Sequence, residues 1–425
     1  MLHINFIREH PDVVREDLKK RGEAEKLVWL DNLLKKDEEY KKTLQEEQRI
    51  RHKRNEITLE INKLKKEGKG IREKLEEAKQ IPQQIAEIEK RREELQGSVR
   101  FYQMRLPNVL HESVPVGKDA TENTVVREAG EIREPSFKLR THAEALEKLG
   151  LADFETAANV SGNGFYYLFG HAAQMELALQ RYAIDFLIRK GYTLVQPPFM
   201  LRREPYEGVV DLADFETMMY KIENEDLYLI ATSEHPMGAL FRNKTLDEKN
   251  LPIRYCGVST CFRKEIGSHG IDEKGLFRVH QFNKIEQFIF CKPEDSWRFH
   301  EELLANAEEL FKGLNLPYRV VNVCTGDIGI VAAKKYDLEV WMPREKEYKE
   351  VVSCSNCTSY QAVRLTIKYR KGNEKEYVHT LNSTAIATGR ALRAIIEHCQ
   401  QEDGSIIIPD VLQPYMDGLK AIIKA

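Results

Sequence analysis

Cys261-Phe262-Arg263-Lys264-Glu265 and, beyond the loop 266–276, Phe277-Arg278-Val279-His280-Gln281-Phe282 are the stretches on which the fold turns. A Gly-containing loop separates them. The pattern reads as strand, loop, antiparallel strand. It puts Arg263 and Glu265 on one strand face, two residues apart. A fixed guanidinium suits a phosphate, which it can grip through two parallel hydrogen bonds. A neighbouring carboxylate can accept from an amino group. Taken alone, the same triplet is better explained as a cross-strand ion pair on a sheet surface.

Outward from this hairpin the chain alternates strand-like and helix-like segments. Helices are expected at Met175–Lys190, Ser296–Lys312 and Arg390–Gln401. Strands are expected at Tyr255–Glu265, Phe277–Phe290, Tyr318–Val323, Leu338–Met342, Glu350–Ser353 and Ala362–Tyr369. Few βαβ alternations occur, which points to a largely antiparallel sheet in an α+β domain. No G-x-x-x-x-G-K-[ST] is present and no G-x-G-x-x-G follows a strand, which argues against a P-loop or dinucleotide site.

Toward the N-terminus the character changes. Residues from about 27 to 100 are rich in Lys, Glu, Arg and Gln, with apolar residues at helical spacing: Ile50, Ile57, Ile61, Leu64, Ile71, Leu75, Ile85, Ile88 and Leu95. Gly68 and Gly70 permit a sharp reversal. Two long antiparallel helices packed along a narrow seam are expected, a coiled-coil arm reaching roughly 54 Å at the usual rise per residue. Pro82 is expected to interrupt the second helix. From Arg49 to Lys74 ten basic residues face four acidic ones, against a net charge of -3 for the whole chain. A solvated coiled-coil surface would account for abundant Lys and Glu, but the sign bias near the reversal favours contact with a phosphate backbone, with Arg49, Arg54, Lys63 and Lys66 as its candidates. Composition shifts again near residue 106. The expected domains are therefore 1–106, carrying the arm, and 107–425.

Charged residues make up 31% of the chain, above the roughly 25% usual for soluble domains, and the arm accounts for the excess. The N-terminus, MLHINFIREHPD, has no apolar signal-like run, and no long charge-free apolar window occurs. Seven cysteines in such a chain read as reduced thiols, so a cytoplasmic location is expected. Cys354-x-x-Cys357 alone lacks the second ligand pair of a zinc site, and no structural zinc is expected.

The hairpin resembles motif 2 of class II aminoacyl-tRNA synthetases, and Arg278-Val279-His280-Gln281-Phe282 followed by Lys284-Ile285-Glu286 is similar to seryl-tRNA synthetases in particular. Gly191-Tyr192 through Pro197-Pro198 resembles motif 1. Ala231-Thr232-Ser233-Glu234 is similar to the family's T-x-E amino-acid site. Glu350-Val351-Val352-Ser353-Cys354-Ser355-Asn356-Cys357 resembles its E-x-x-S-C-S-N-C strand. Thr380-Leu381-Asn382 through Thr388-Gly389-Arg390 resembles motif 3, although Asn382-Ser383-Thr384 stands where a glycine-rich run is usual. The basic hairpin matches the tRNA-binding arm in place and length.

The resemblance implies a class II antiparallel catalytic domain flanked by helices, preceded by the helical arm. It implies activation of L-serine with ATP, transfer of serine to tRNA(Ser), with tRNA(Sec) as a further acceptor, and a homodimer built on motif 1. It implies roles as well. Arg263, Lys264, Glu265, Val279, Phe282, Glu350, Val351, Val352, Ser353 and Arg390 would bind ATP, with Arg263 on the α-phosphate, Glu265 on the adenine amino group, Phe282 on the adenine ring and Arg390 on the γ-phosphate. Glu350 and Ser353 would hold Mg²⁺. Thr232, Ser233, Glu234, Arg263, Glu286, Asn382 and Thr384 would bind serine, its hydroxyl meeting Glu286 and Thr384. Arg263, Arg390 and Glu350 would be the catalytic groups, and no protein nucleophile is required. Two other readings stay open: a synthetase-like paralogue with another substrate, and a coiled-coil scaffold with an inert globular half.

Overall fold

The computed structural model describes residues 1–211, 217–265 and 275–423. The chain divides into two compact units, Leu2–Pro107 and, with Met1, Asn108–Ala425.

The N-terminal unit is helical: α1 (Ile4–Glu9), α2 (Pro11–Lys20), α3 (Ala24–Lys66) and α4 (Arg72–Arg105). Pro11 opens α2, where its missing N–H costs nothing. At 43 and 34 residues, α3 and α4 extend about 65 and 51 Å. Gly68 takes φ +63 in the reversal between them, a conformation that a Cβ disfavours. Ile57, Ile61 and Ile81 form the buried seam, flanked by Ile50, Ala78 and Ile85. Helix α4 continues through Pro82 rather than being interrupted there. The ring removes one backbone bond, but Ile81 and Ile85 on either side are held in the seam, and tertiary packing carries the helix across. Charged groups lock the pairing further. The buried Glu47 carboxylate meets both Arg51 and Arg92, Lys53 meets Glu77 at 2.7 Å, and Lys74 meets Glu60 at 2.9 Å.

The larger unit is built on an eight-stranded sheet. Its strands in chain order are β1 (Thr124–Ala129), β2 (Thr193–Val195), β3 (Ile253–Phe262), β4 (Gln281–Cys291), β5 (Tyr318–Asn322), β6 (Lys334–Met342), β7 (Glu347–Asn356) and β8 (His379–Ala387). Their spatial order is β1-β5-β6-β7-β8-β4-β3-β2, antiparallel except for the β2–β3 pair at one edge. Three amphipathic helices, α5 (Gly170–Arg189), α6 (Ser296–Gly313) and α7 (Thr388–Cys399), contribute Leu179, Phe299 and Ile395 to one core with Ile285, Ile289, Leu338 and Val352 of the strands. Strand alternation then decides what the opposite face carries. In β4, Ile285 and Ile289 enter the helix-covered core, whereas Phe282, Lys284, Glu286, Phe288 and Phe290 point the other way. The two phenylalanines at the far end join a second core with Tyr206, Met237 and Tyr369. What remains between is a polar floor.

Three expected strands need correction. Ala362–Tyr369 is not one strand: Tyr360–Leu365 is a short helix ending at Thr366 with φ +56, and a strand follows at Lys368–Lys371. Arg263 and Glu265 lie beyond the end of β3, not on it. Arg263 N–H still bonds the His280 carbonyl at 2.9 Å, but Lys264 N–H turns away to Met218. Likewise Phe277–His280 precede β4, since the His280 N–H leaves the ladder for Gly164. Among the described residues no helix is long and apolar enough to cross a membrane.

Candidate active site

The polar floor opens into a cleft of about 450 Å³. Its deepest part lies where β4 and β8 run side by side. Thr384 is directly paired with Glu286 in that ladder, so both side chains rise from one floor. Glu286 is 1% exposed, and Lys284, two residues along the same face, brings its Nζ to 2.5 Å. Burial pushes the Glu286 carboxyl above its usual range despite Lys284. Glu234 stands close enough to repel Glu286. Its own carboxyl is pushed up to about 7, by burial first and by Glu286 second. Gln361 Nε2 donates to Glu234 Oε1 at 2.9 Å, and Thr380 holds the Gln361 carbonyl at 2.7 Å. Glu234 N–H is held by Thr232 Oγ1 at 3.1 Å, and both residues line this pocket. Two crowded carboxylates with elevated affinity for protons make a site that awaits a cation.

Beside it, Arg263 reaches into the cleft with Nε 3.3 Å from the Ala231 carbonyl and its guanidinium carbon 5.3 Å from the Phe282 ring centroid. The His280 ring, stacked on Phe165, has Nδ1 2.8 Å from the Arg263 carbonyl, so it fixes the backbone from which Arg263 projects. Phe282 is shared with a small adjoining slot lined by Glu265, Val279, Phe277 and Arg390. An aromatic face, an apolar edge and a carboxylate together suit a flat heterocycle bearing an amino group.

The third wall is β7. Glu350 and Ser353 are three residues apart, so strict alternation would send them to opposite faces. A bulge between the Leu338–Val352 and Glu339–Glu350 pairs inserts Val351 and returns both to the cleft side. A second bulge at Ala385 does the same for Thr384 and Ala387. Arg390, in the first turn of α7, donates to the Glu350 carbonyl at 2.8 Å and lies 3.3 Å from its carboxylate. Burial would push the Glu350 carboxyl up, but Arg390, Lys335 and Arg263 outweigh it, and it stays below its usual range. A carboxylate and a hydroxyl on one wall are hard oxygen donors of the kind that would hold Mg²⁺.

Of the residues expected at a site, Thr232, Glu234, Arg263, Phe282, Glu286, Glu350, Val351, Ser353, Asn382, Thr384 and Arg390 line one cleft, and Glu265 and Val279 line its adjoining slot. Val352 is fully buried in the helix-covered core, Ser233 is fully buried behind Thr232, and the Lys264 ammonium lies over the Tyr220 ring. Lys284, Gln361 and Lys335 were not anticipated. Lys284 was legible, since it alternates with Glu286 on one strand face; Gln361 lies on the short helix Tyr360–Leu365, which the sequence pattern does not reveal. Cys354 and Cys357 are buried thiols, with Cys357 Sγ 3.7 Å from the Asn382 amide. In the helical unit, Arg51, Lys53, Lys69 and Lys74 are spent on ion pairs. Arg49, Arg54, Lys63 and Lys66 are all exposed.

Comparison with known proteins yields concordant matches. The family model for the tRNA synthetase class II core domain (G, H, P, S and T) matches residues 216–399, and that for the seryl-tRNA synthetase N-terminal domain matches residues 1–110. A serine–tRNA ligase of Methanocella arvoryzae is 59% identical over 423 residues, covering 99% of this chain and all of its own. The crystal structure of seryl-tRNA synthetase from Pyrococcus horikoshii complexed with ATP superimposes with a TM-score of 0.95 at 50% identity, covering both chains completely. The cytoplasmic serine–tRNA ligase of Naegleria fowleri, in complex with AMP, gives 0.90 at 37% identity over 99% of this chain and 98% of its own.

Proposed function

The chain belongs to the seryl-tRNA synthetase family, and from that premise we propose how its cleft divides the labour of the reaction. The enzyme is an aminoacyl-tRNA ligase that activates serine with ATP and transfers it to tRNA.

Serine enters the deep pocket with its ammonium toward Glu234 and Thr232 and its hydroxyl toward Glu286 and Thr384, with Asn382 at the side. Its carboxylate then faces Arg263. ATP lies across the neighbouring slot, adenine on Phe282 with Val279 at the edge and Glu265 accepting from the amino group. The triphosphate bends back so that Arg263 holds the α-phosphate and Arg390 the γ-phosphate. As the carboxylate oxygen attacks the α-phosphorus and pyrophosphate departs, charge accumulates on the phosphoryl oxygens. Arg263 is already oriented to meet it, by His280 behind its backbone and Ala231 beside its Nε. The terminal ribose hydroxyl of the tRNA next attacks the seryl carbonyl of the adenylate, the ester bond to the ribose forms, and AMP leaves. Bound Mg²⁺ supplies charge screening for the phosphates, and Glu350 and Ser353 are the residues that would hold it. Both steps rest on proximity and electrostatics.

The observation that carries this reading is the cross-strand Glu286–Thr384 pair in the same cleft as Arg263 and Arg390. Residues 1–106 serve as the tRNA-binding domain, through Arg49, Arg54, Lys63 and Lys66, with 107–425 catalytic. The edge strand β2 and exposed Leu177 and Leu194 support a homodimer through motif 1. The location is cytoplasmic, and tRNA(Sec) is a second acceptor wherever it exists. The test is serine-dependent exchange of pyrophosphate into ATP, run across all twenty amino acids. Exchange with serine alone is expected; stronger exchange with another amino acid would overturn the pocket assignment.

A further inference from the structure

Leu276 is pinned from two directions. Its N–H donates to His142 Nε2 at 3.0 Å. On its other side a Cβ at Gly389 would come within 2.5 Å of its carbonyl oxygen, so the turn just before Arg390 presses against it. A Cβ at Gly275 would come within 2.1 Å of His142 Nε2, so only glycine lets the imidazole approach this backbone. Leu276 itself is 1% exposed. The next residue, Phe277, presents its ring to two guanidinium groups, 4.9 Å from Arg390 and 4.8 Å from Arg393.

His142 begins the short helix His142–Lys148, whose start is fixed by reciprocal bonds between Thr141 and Glu144. Because Nε2 accepts from an amide, the ring proton sits on Nδ1, which donates to Glu397 Oε1 at 3.2 Å. Glu397 also accepts from Arg393 Nε at 3.1 Å. Burial opposes its charge, but His142 and Arg393 together keep the carboxyl below its usual range. The contacts therefore close on themselves: His142 to Leu276, Phe277 to Arg390 and Arg393, and Arg393 through Glu397 back to His142.

We propose that His142 is a positioning residue for ATP: by holding the Leu276 amide it sets Phe277, the platform on which the Arg390 guanidinium rests. The side chain of His142 does not line the cleft. The inference depends on Arg390 acting as the γ-phosphate arginine. An acceptor at the Nε2 position is what the role requires, so Gln is the conservative replacement and Phe the disabling one.

The test is pyrophosphate exchange with His142→Phe, His142→Gln and Glu397→Gln, with Arg390→Ala as the reference and thermal melting alongside. His142→Phe is expected to raise KM for ATP about tenfold, the scale of one stranded buried N–H. KM for serine should stay within about twofold, and His142→Gln should recover most of the loss. Glu397→Gln should shift KM for ATP in the same direction by less. If Arg390→Ala cripples exchange while His142→Phe leaves KM for ATP unchanged, the proposal fails and the ATP reading stands. If His142→Phe raises both KM values equally, or Gln is no better than Phe, the role is general packing and the proposal again fails. If Arg390→Ala has no effect, the reading beneath it falls.

Discussion

Glu286 and Thr384 sit opposite each other on neighbouring strands, a carboxylate and a hydroxyl paired on the floor of the cleft before any ligand arrives. Their carboxylate and hydroxyl supply both hydrogen-bonding partners for a small alcohol. Thr384→Val keeps the shape and removes the hydroxyl. Exchange kinetics should show kcat/KM for serine falling about 30-fold, near 2 kcal/mol for one stranded buried group. The serine-to-alanine ratio should narrow with it, since a pocket built to bond a hydroxyl rejects alanine through that same bond. An unchanged ratio would remove Thr384 from recognition.

Arg263→Ala should depress serine-dependent exchange by about 10³-fold, the scale for losing a group aimed at developing charge. Melting temperature should barely change, because the guanidinium faces the open cleft. Arg263→Lys should rescue little, since an ammonium cannot reproduce the planar fork. Normal exchange in either variant would contradict the mechanism.

Glu234 gives a pH signature. Its carboxyl is held near 7 in the empty enzyme, above the ordinary 4.5. Between those values the folded chain keeps a proton that the unfolded chain releases. Stability from this group therefore falls as pH rises through that window, and the penalty is complete above it. Serine's ammonium favours the ionised form, so binding at about pH 6 should expel a proton. Affinity should weaken toward roughly tenfold per pH unit below 7. Calorimetry in two buffers of different ionisation heat reads the proton directly. Glu234→Gln should abolish the release along with most of the affinity; no proton release in the wild type would refute the assignment.

Replacing Arg49, Arg54, Lys63 and Lys66 together by Gln should leave serine activation intact and weaken tRNA charging. Each lost phosphate contact should lower the slope of log affinity against log salt by about one. Melting should be nearly unaffected, since all four are exposed while Arg51, Lys53 and Lys74 carry the helix-to-helix ion pairs. Equal loss of activation and charging would mean that the arm is not a dedicated tRNA contact.

Strand alternation made much of the cleft legible: Phe282, Lys284 and Glu286 follow one another on one face of β4, and the sequence states this directly. The bulges were not legible, because nothing in Glu350-Val351-Val352-Ser353 marks Val351 as an extra residue. Val363, Leu365, Ile367 and Tyr369 alternate like a strand, yet the first two belong to a helix. All six residues of Tyr360–Leu365 are buried, so no polar face exposes the helical period. Pro82 misled for the opposite reason, its local cost being outweighed by long-range packing. His142 lies over 100 residues from Leu276, and no local pattern could have joined them.

The inserted Val351 has a consequence for how this wall can change. Deleting that single residue would restore strict two-residue parity to the strand. The acid and the hydroxyl would then stand two residues apart and share the cleft side without any bulge. A regular strand of the present length, with no bulge, would instead send one of the two toward the greasy layer beneath the helices, where no ion could reach it. The placement of these two oxygens thus rests on a local break in the ladder as much as on residue identity, and a wall one residue shorter would need no such break.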